Sequence, residues 1–235
     1  MNRVIRAVLV GKIMPLGRRG VDSGIFKQPV DKALEVTRWG LRGDQQGDRK
    51  HHGGPDKALH HYPFDHYAVW RAELPERAEL FKLAGAFGEN LSTETMTEAD
   101  VCLGDVYQLG SARVQVSQGR QPCWRLNLRF DQASMARQVQ TSGRTGWYYR
   151  VLDEGRVAAG DSLRLVDRPA EDWTIKRVLD LLYRDSLNYD GLAQLAALTL
   201  LPPSWLELVR ARLAFRRVED WSRRLTTPPE APPTP

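Results

Sequence analysis

The stretch GDVYQLGSARVQVSQGRQPCWRLN, residues 104–127, carries the clearest structural pattern in the chain. Its opening Gly-Asp pair is typical of a tight turn, and the apolar alternation that follows predicts a strand. RVQVSQ (113–118) has the composition of a second strand. The pattern changes at Gly119, and Pro122 suits the first turn of a helix. We therefore predict a strand that ends in a loop carrying Cys123.

Similar strand patterns occupy most of the chain before residue 169. They are rich in β-branched or aromatic residues and are separated by glycine, proline and Asp/Asn turns: 3–11, 33–40, 57–62, 113–118, 147–152 and 161–166. Helix patterns interrupt them at 63–74, where Pro63 suits the first helical position, and at 131–143, where Asp131 is the expected cap. We predict an α+β chain whose residues 1–169 form a mainly β, barrel or sandwich domain.

After Pro169 the chain has the pattern of amphipathic helices. Apolar residues recur at helical spacing in three segments, 174–183, 190–198 and 202–215. Three helices of this kind predict a small bundle over residues 170–225. Proline is frequent in 226–235, and this composition predicts a disordered tail.

The composition is that of a water-soluble protein. The 235 residues are 42% apolar and 27% charged, and no apolar run approaches the ~20 residues of a membrane helix. The apolar run near the N-terminus is too short for a signal peptide, so we expect a cytoplasmic protein without membrane contact. In a reducing compartment Cys102 and Cys123 are expected to be free thiols. The net charge of +5 suits phosphate-bearing small molecules or nucleic acid.

Cys123 has the surroundings of a reactive or metal-binding thiolate. A place in the first turn of a helix, with Arg120 and Arg125 close by, lowers the pKa of a thiol. The thiolate attacks electrophiles and binds soft metals. The alternative, a buried cysteine that acts as a small apolar residue, fits Cys102 better because its neighbours are apolar.

RKHHGGPDKA (49–58) is a candidate anion-binding turn. Two glycines before a proline let the backbone approach a ligand closely, and Arg49, Lys50 and His52 supply hydrogen-bond donors for a phosphate or oxyanion. The alternative is a plain hairpin turn with basic neighbours.

GENLST (88–93) is a polar cluster next to a glycine. Glu89, Asn90, Ser92 and Thr93 offer amide, hydroxyl and carboxylate groups, and the amide and hydroxyls can bind the edge of a heterocycle.

All five histidines lie within 16 residues: His51, His52, His60, His61 and His66. A zinc site is not expected, because the chain has neither H-E-x-x-H nor C-x-x-C. Adjacent residues of a strand also face opposite sides, which separates His60 from His61. We interpret His60, His61 and His66 as surface or hydrogen-bonded residues.

Taken together, GDRKHHGGPDKALHHY, GENLST and the cysteine motif resemble the MOSC family, named for the C-terminal domain of molybdenum cofactor sulfurase. The helical segment resembles the three-helix extension of its YiiM-type subgroup. This resemblance spans about residues 1–225 and implies a β-rich, barrel-like MOSC domain over 1–169. It departs at Gly119, where MOSC sequences often have proline before the arginine of the motif.

The resemblance implies binding of the molybdenum cofactor. Cys123 would be the thiolate ligand of molybdenum and the catalytic residue, and Arg120 would contact the pterin phosphate or a metal oxo group. The remaining cofactor-binding candidates are His52, Gly53, Gly54, Asn90, Ser92 and Thr93.

Related MOSC enzymes, the amidoxime reducing components, reduce N-hydroxylated compounds, so the resemblance implies a reductase of substrates such as N-hydroxylated purine bases. The chain has no flavin or nicotinamide fingerprint and no iron–sulfur cysteine run, so its electrons are expected from a separate reductase.

Two other functions fit parts of the sequence. Cys123 could carry a persulfide and donate sulfur during cofactor maturation. Alternatively, the basic residues of 205–225 could bind nucleic acid, although a charge of this size is more typical of a solvated helix face.

Overall fold

The chain forms a mainly β domain followed by a helical region, in a computed structural model that describes residues 2–18, 20–47 and 53–229. Its strands are β1 Asn2–Val4, β2 Ala7–Val10, β3 Met14–Leu16, β4 Val21–Ser23, β5 Gln28–Pro29, β6 Leu34–Thr37, β7 Gly40–Leu41, β8 Leu59–His61, β9 Leu91–Ser92, β10 Val106–Leu109, β11 Ala112–Gly119, β12 Trp147–Asp153, β13 Gly155–Val157 and β14 Ser162–Asp167. Its helices are α1 Asp65–Glu73, α2 Arg125–Phe130, α3 Met135–Ser142, α4 Ile175–Tyr183, α5 Tyr189–Ala196, α6 Pro203–Phe215 and α7 Ser222–Leu225, with 3-10 turns at Pro55–Lys57 and Pro75–Phe81.

Nine of the strands in these described ranges form one mixed sheet. Their order is β1-β14-β10-β11-β12-β8-β9-β2-β5, and only β8 and β9 run parallel to each other. Two smaller sheets, β13-β6-β7 and β3-β4, accompany it. The large sheet curls into a half-barrel, so the predicted α+β fold with a mainly β, barrel-like domain is confirmed.

The central strand β11 leads into the cysteine loop. Its apolar residues Val114 and Val116 are fully buried in the main core. At the end of the strand, a Cβ on Gly119 would lie 3.0 Å from Leu179 Cδ2 and 3.4 Å from Ile175 Cγ2. Helix α4 therefore packs directly against the point where the strand ends, and glycine leaves room for this contact.

The C-terminal helices bury the predicted apolar faces, with one charged exception. Leu182, Leu195 and Val209 are fully buried in the core they share with the sheet. Arg212 on α6 is only 1% exposed, and its guanidinium donates two hydrogen bonds to the Glu219 carboxylate, at 2.9 and 2.7 Å. The basic residues of this region are therefore not all on a solvated face.

The starts of two helices differ from the prediction. α1 begins at Asp65 rather than at Pro63. Asp131 does not cap α3, because it takes a left-handed φ of 46° and ends α2. Gly143, with a φ of 77°, ends α3 as predicted.

Candidate functional site

A cleft lies beside the ends of β8 and β11 and contains Cys123. It encloses about 610 Å³ of empty space, counting the part that is open to solvent. The residues that line it come from six separate parts of the chain: Ser23, Gly24, Ile25, Lys27, Asp44, Gln45, Gln46, Gly47, Lys57, His60, Phe87, Gly88, Asn90, Arg120, Cys123, Arg125 and Tyr148.

Cys123 lies in the loop between β11 and α2. It is 8% exposed, and its carbonyl accepts a hydrogen bond from the Leu126 N–H at 2.9 Å, which forms a turn before the helix. α2 begins at Arg125, so the thiol precedes the helix rather than lying in its first turn. The guanidinium groups of Arg120 and Arg125 share the cleft with the thiol, as the sequence predicted.

Cys102 lies in a different environment. Its thiol donates a hydrogen bond to the Glu171 carbonyl at 3.3 Å, and burial, with a smaller contribution from Asp105, raises the pKa of this thiol to about 11. Neither cysteine forms a disulfide among the described residues. Cys102 therefore stays a thiol at neutral pH and plays the packing role expected of it.

Arg120 brings a buried positive charge into the cleft. The residue is 6% exposed, its backbone N–H donates to the Gly146 carbonyl at 3.0 Å, and one terminal guanidinium nitrogen has no hydrogen-bond partner among the described residues. Burial of an unpaired cationic donor is unfavourable unless an anion or acceptor completes it. This side chain therefore fits an anionic ligand.

Tyr148 lies beside Arg120 and is also nearly buried, at 9% exposure. Burial raises the pKa of Tyr148, while the positive charge of Arg120 and its hydrogen bond to the hydroxyl offset part of that rise. The phenol therefore keeps its proton at neutral pH and presents a hydroxyl group at the wall of the cleft.

His60 is a cleft residue that the sequence analysis did not identify. It is 4% exposed, and its Nε2 has no hydrogen-bond partner among the described residues. Desolvation, followed by the positive charge of Arg120, lowers the pKa of His60 well below its usual value, so the ring is neutral. A surface position, one of the two expected alternatives, is therefore wrong for His60. Hydrogen bonds with the Gly88 and Thr145 backbone offset part of the fall in the pKa of this ring, so the hydrogen-bonded alternative stands.

The next residue, His61, faces the opposite side of β8, as strand geometry predicted. Its Nε2 lies 2.9 Å from Thr93 Oγ1 and its Nδ1 lies 3.1 Å from the Tyr149 hydroxyl. Burial lowers the pKa of His61 to about 3. This imidazole is a neutral part of the barrel interior and does not line the cleft.

A buried ion pair forms another wall of the cleft. Lys27 donates to both carboxylate oxygens of Asp44, and Asp44 also accepts from the Gly11 N–H at 2.8 Å. Asn90 donates to Asp44 Oδ2 at 2.9 Å and to the Leu9 carbonyl at 3.2 Å, and its Oδ1 accepts from the His60 N–H at 3.1 Å. Both side-chain N–H groups of Asn90 therefore donate hydrogen bonds within the protein. Asn90 stabilises the wall of the cleft and has no side-chain N–H left for a ligand.

Other predicted site residues lie away from the lining of the cleft. Ser92 Oγ donates to the Tyr62 carbonyl at 3.0 Å, and Thr93 bonds His61 inside the barrel. Gly53 and Gly54 precede a 3-10 turn that brings Lys57 to the cleft. Of the predicted site residues, the structure brings together Cys123, Arg120 and Asn90, while Arg49, Lys50 and His52 lie outside the described residues.

Glu89, from the same polar cluster, supports the cleft from behind. Its buried carboxylate accepts hydrogen bonds from the N–H groups of Gly85, at 2.6 Å, and Phe87, at 3.1 Å, and from the Tyr67 hydroxyl. Desolvation raises the pKa of Glu89, and these hydrogen bonds offset part of the rise. The carboxylate thereby fixes the turn that supplies Phe87, Gly88 and Asn90 to the cleft.

The described residues contain neither a cluster of metal ligands nor a membrane-spanning helix. Across 2–18, 20–47 and 53–229, no group of three or more histidine, cysteine, aspartate and glutamate side chains is arranged to hold a metal ion. Over the same part of the chain, no helix has the length and apolar character needed to cross a membrane.

Comparison with known proteins identifies the family. The MOSC domain profile matches residues 48–164, and the profile described as "YiiM-like, 3-alpha helix domain" matches residues 173–216. Protein YiiM of Escherichia coli (strain K12) is 43% identical over 218 residues, which are 93% of this chain and 96% of that protein. The chain belongs to the MOSC family, in its YiiM-like group.

A solved structure and a fungal relative extend this comparison. The crystal structure of YiiM from Escherichia coli matches with a TM-score of 0.82 and 38% identity, covering 97% of this MOSC chain and all of that chain (100%). A protein of Gibberella moniliformis named "Reductase" is 34% identical over 89% of this chain, but the match spans only 37% of the fungal protein. The predicted resemblance to MOSC and YiiM-type proteins is confirmed.

Proposed function

We propose that this MOSC protein is an oxidoreductase that uses the molybdenum cofactor to reduce N-hydroxylated compounds, such as N-hydroxylated purine bases, to amines. Electrons would come from a separate reductase. The observation that carries the proposal is the buried Arg120 guanidinium, which has an unpaired nitrogen in the same cleft as the Cys123 thiol. A soft metal ligand and an unpaired cationic donor suit a cofactor that contains both a thiolate-binding metal and anionic groups.

The residues of the cleft fit such a cofactor. Cys123 would hold the metal through its sulfur, and Arg120 would bind a phosphate or an oxo group. Lys57 and Arg125 add positive charge to the same lining. When bound, the molybdenum cofactor would supply the two-electron redox chemistry that cleavage of the N–O bond requires.

The chain's own groups orient the substrate and hold protons. Reduction of R–NHOH to R–NH2 and water consumes two electrons and two protons, so proton donors are needed beside the reacting oxygen. Tyr148 retains its hydroxyl proton because burial raises its pKa. The neutral His60 ring offers one unpaired nitrogen to a polar ligand. These two groups are the cleft's candidates for contact with the N–OH group.

The comparisons support this proposal at a coarser level. Membership of the MOSC family associates the chain with molybdenum chemistry, and the fungal relative is named "Reductase". Nucleic-acid binding has less support, because Arg212 and Arg224 of the basic C-terminal region make hydrogen bonds inside the protein.

The test is a paired measurement of metal and turnover. Wild type, Cys123→Ser and Cys102→Ser are purified from a host that produces excess molybdenum cofactor. Molybdenum per chain is measured by elemental analysis, and reduction of an N-hydroxylated purine is measured with a chemical electron donor. We expect about one molybdenum per chain and turnover in wild type and Cys102→Ser, with both lost in Cys123→Ser.

Each other outcome has a definite meaning. A Cys123→Ser variant that still binds molybdenum and reduces the substrate would contradict the assigned role of the thiolate. Wild type that lacks molybdenum but carries a persulfide on Cys123, detected by mass spectrometry, would favour the sulfur-carrier alternative instead.

A further inference from the structure

Residues 219–227, near the end of the described part of the chain, lie against the cysteine loop. The Trp124 N–H donates to the Arg224 carbonyl at 2.7 Å, and one guanidinium nitrogen of Arg224 donates to the Pro122 carbonyl. The peptide groups immediately before and after Cys123 are therefore both bonded to one residue that lies about 100 positions later in the sequence. We call residues 219–227 the clamp segment.

A second set of contacts holds the clamp segment on α2 and α3. The Asn127 side chain donates to the Leu225 carbonyl at 2.9 Å, and the other terminal nitrogen of Arg224 donates to Gln140 Oε1. Leu225 itself is 2% exposed and belongs to the apolar cluster that contains α2. The segment is thus built into the protein interior at this point.

The other end of the clamp segment is anchored to the C-terminal helices. Glu219 accepts two hydrogen bonds from the buried Arg212 and one from Trp221 Nε1 at 2.8 Å. Arg212 also donates to the Leu182 carbonyl at 2.8 Å, on α4. The ring of Trp221 packs edge-on against Tyr183, with centroids 5.6 Å apart. A continuous set of contacts therefore runs from the helical bundle to the cysteine loop.

We infer that the clamp segment positions Cys123 in the cleft, with Arg224 as the positioning residue. This inference rests on the proposed function, in which the Cys123 sulfur must be held at a fixed place. Replacement of Arg224 by alanine removes the donor to the Pro122 carbonyl but keeps the Arg224 carbonyl that accepts from the Trp124 N–H. A partly buried carbonyl without its partner favours a rearranged loop. Arg224 is not among the residues that line the cleft, and it acts through the peptide groups beside Cys123.

The inference extends beyond the regions that define the family. The two matching profiles end at residues 164 and 216, before the clamp segment begins. The neighbouring Arg223 is exposed, so the chain offers a matched control with the same side chain one position away.

The test measures how readily the Cys123 thiol is alkylated in the cofactor-free, full-length protein. Native protein is treated with iodoacetamide, and the modified peptides are quantified by mass spectrometry over time. We expect Arg224→Ala to raise the rate at Cys123 about 10-fold, which corresponds to about 1.4 kcal/mol of easier loop opening. Arg224→Lys should give a smaller increase, because it keeps a charged donor. Arg223→Ala should match wild type.

Cys102 is the internal control for global loosening. Its thiol is buried and has a pKa raised to about 11, so its alkylation rate should remain low in every variant that keeps the native fold. Gln140→Ala provides an independent variant in case Arg224→Ala fails to fold, since it removes one acceptor of Arg224 and should increase Cys123 alkylation in the same direction.

Unchanged Cys123 rates in both Arg224→Ala and Gln140→Ala, or equal increases at Cys102 and Cys123, would overturn the positioning role. This assay requires neither molybdenum nor turnover. Its failure is therefore distinct from failure of the proposed function, which the metal and turnover measurements decide.

Discussion

Replacement of His61 by glutamine should reduce the pH dependence of the protein's stability. In the folded state burial lowers the pKa of His61 to about 3, whereas an unfolded histidine has a pKa of about 6.5. The unfolded state therefore binds the extra proton first, and the stabilisation present above about pH 6.5 is lost as the pH falls towards 3. Between pH 7 and pH 5 this one ring accounts for a loss of about 2 kcal/mol.

The assay is urea unfolding at a series of pH values from 7 to 5, which gives the free energy of unfolding at each pH. Wild type should lose about 2 kcal/mol more than His61→Gln over this interval, and His60, whose pKa is also lowered, contributes equally to both proteins. Tyr149→Phe is the matched control. It removes a hydrogen bond to His61 but keeps the ring, so it should lower stability by about 1 kcal/mol at every pH. Identical pH dependence in wild type and His61→Gln would refute this reasoning.

Three further outcomes are expected. Gly119→Ala should destabilise the protein by about 1–3 kcal/mol in urea unfolding, because its Cβ would lie 3.0 Å from Leu179 Cδ2; an unchanged midpoint would show that α4 shifts freely. Arg120→Met should raise the free energy of unfolding of the cofactor-free protein by about 1–3 kcal/mol, because the guanidinium is buried with an unpaired nitrogen. The same substitution should reduce the molybdenum content of protein purified from a cofactor-producing host. A loss of stability would mean that this charge is already compensated. Cys102 should resist iodoacetamide at pH 8 until the protein unfolds, because its thiol pKa is raised to about 11; peptide mapping that shows rapid native-state modification would contradict this.

Local sequence pattern was sufficient for most of the fold. Alternation located β11 and β12, and helical periodicity located α4, α5 and α6 to within about two residues. Helix starts were less predictable. Asp131 has the side chain of a helix cap, but the tight connection between α2 and α3 places it in a left-handed conformation, where it ends one helix instead of starting the next.

The candidate site was predictable only where its residues are close in sequence. Cys123 and Arg120 lie in one short motif, so the sequence of that motif predicted both as site residues. Lys27, Asp44 and His60 meet them only because the β-strands bring distant segments together, and no spacing rule links positions that far apart.

Polar side chains that make hydrogen bonds within the protein also led to wrong predictions of ligand-binding or solvated residues. Asn90 belongs to a cluster suited to reading a ligand, yet its amide protons bond Asp44 and a backbone carbonyl. Arg212 belongs to a basic helix, yet its charge is buried against Glu219. Composition gives the chemistry of a side chain but not which partner it meets after folding.

The contact between Arg224 and the peptide groups around Cys123 has a consequence for synthesis on the ribosome. About 100 residues must be translated after the cysteine before its loop can be completed, and contacts of such long sequence separation form late. The β-strands can assemble while the chain is still being translated. The cysteine loop reaches its final conformation only after the clamp segment has emerged from the ribosome. A nascent chain that stops before Arg224 is therefore expected to lack the completed cysteine loop.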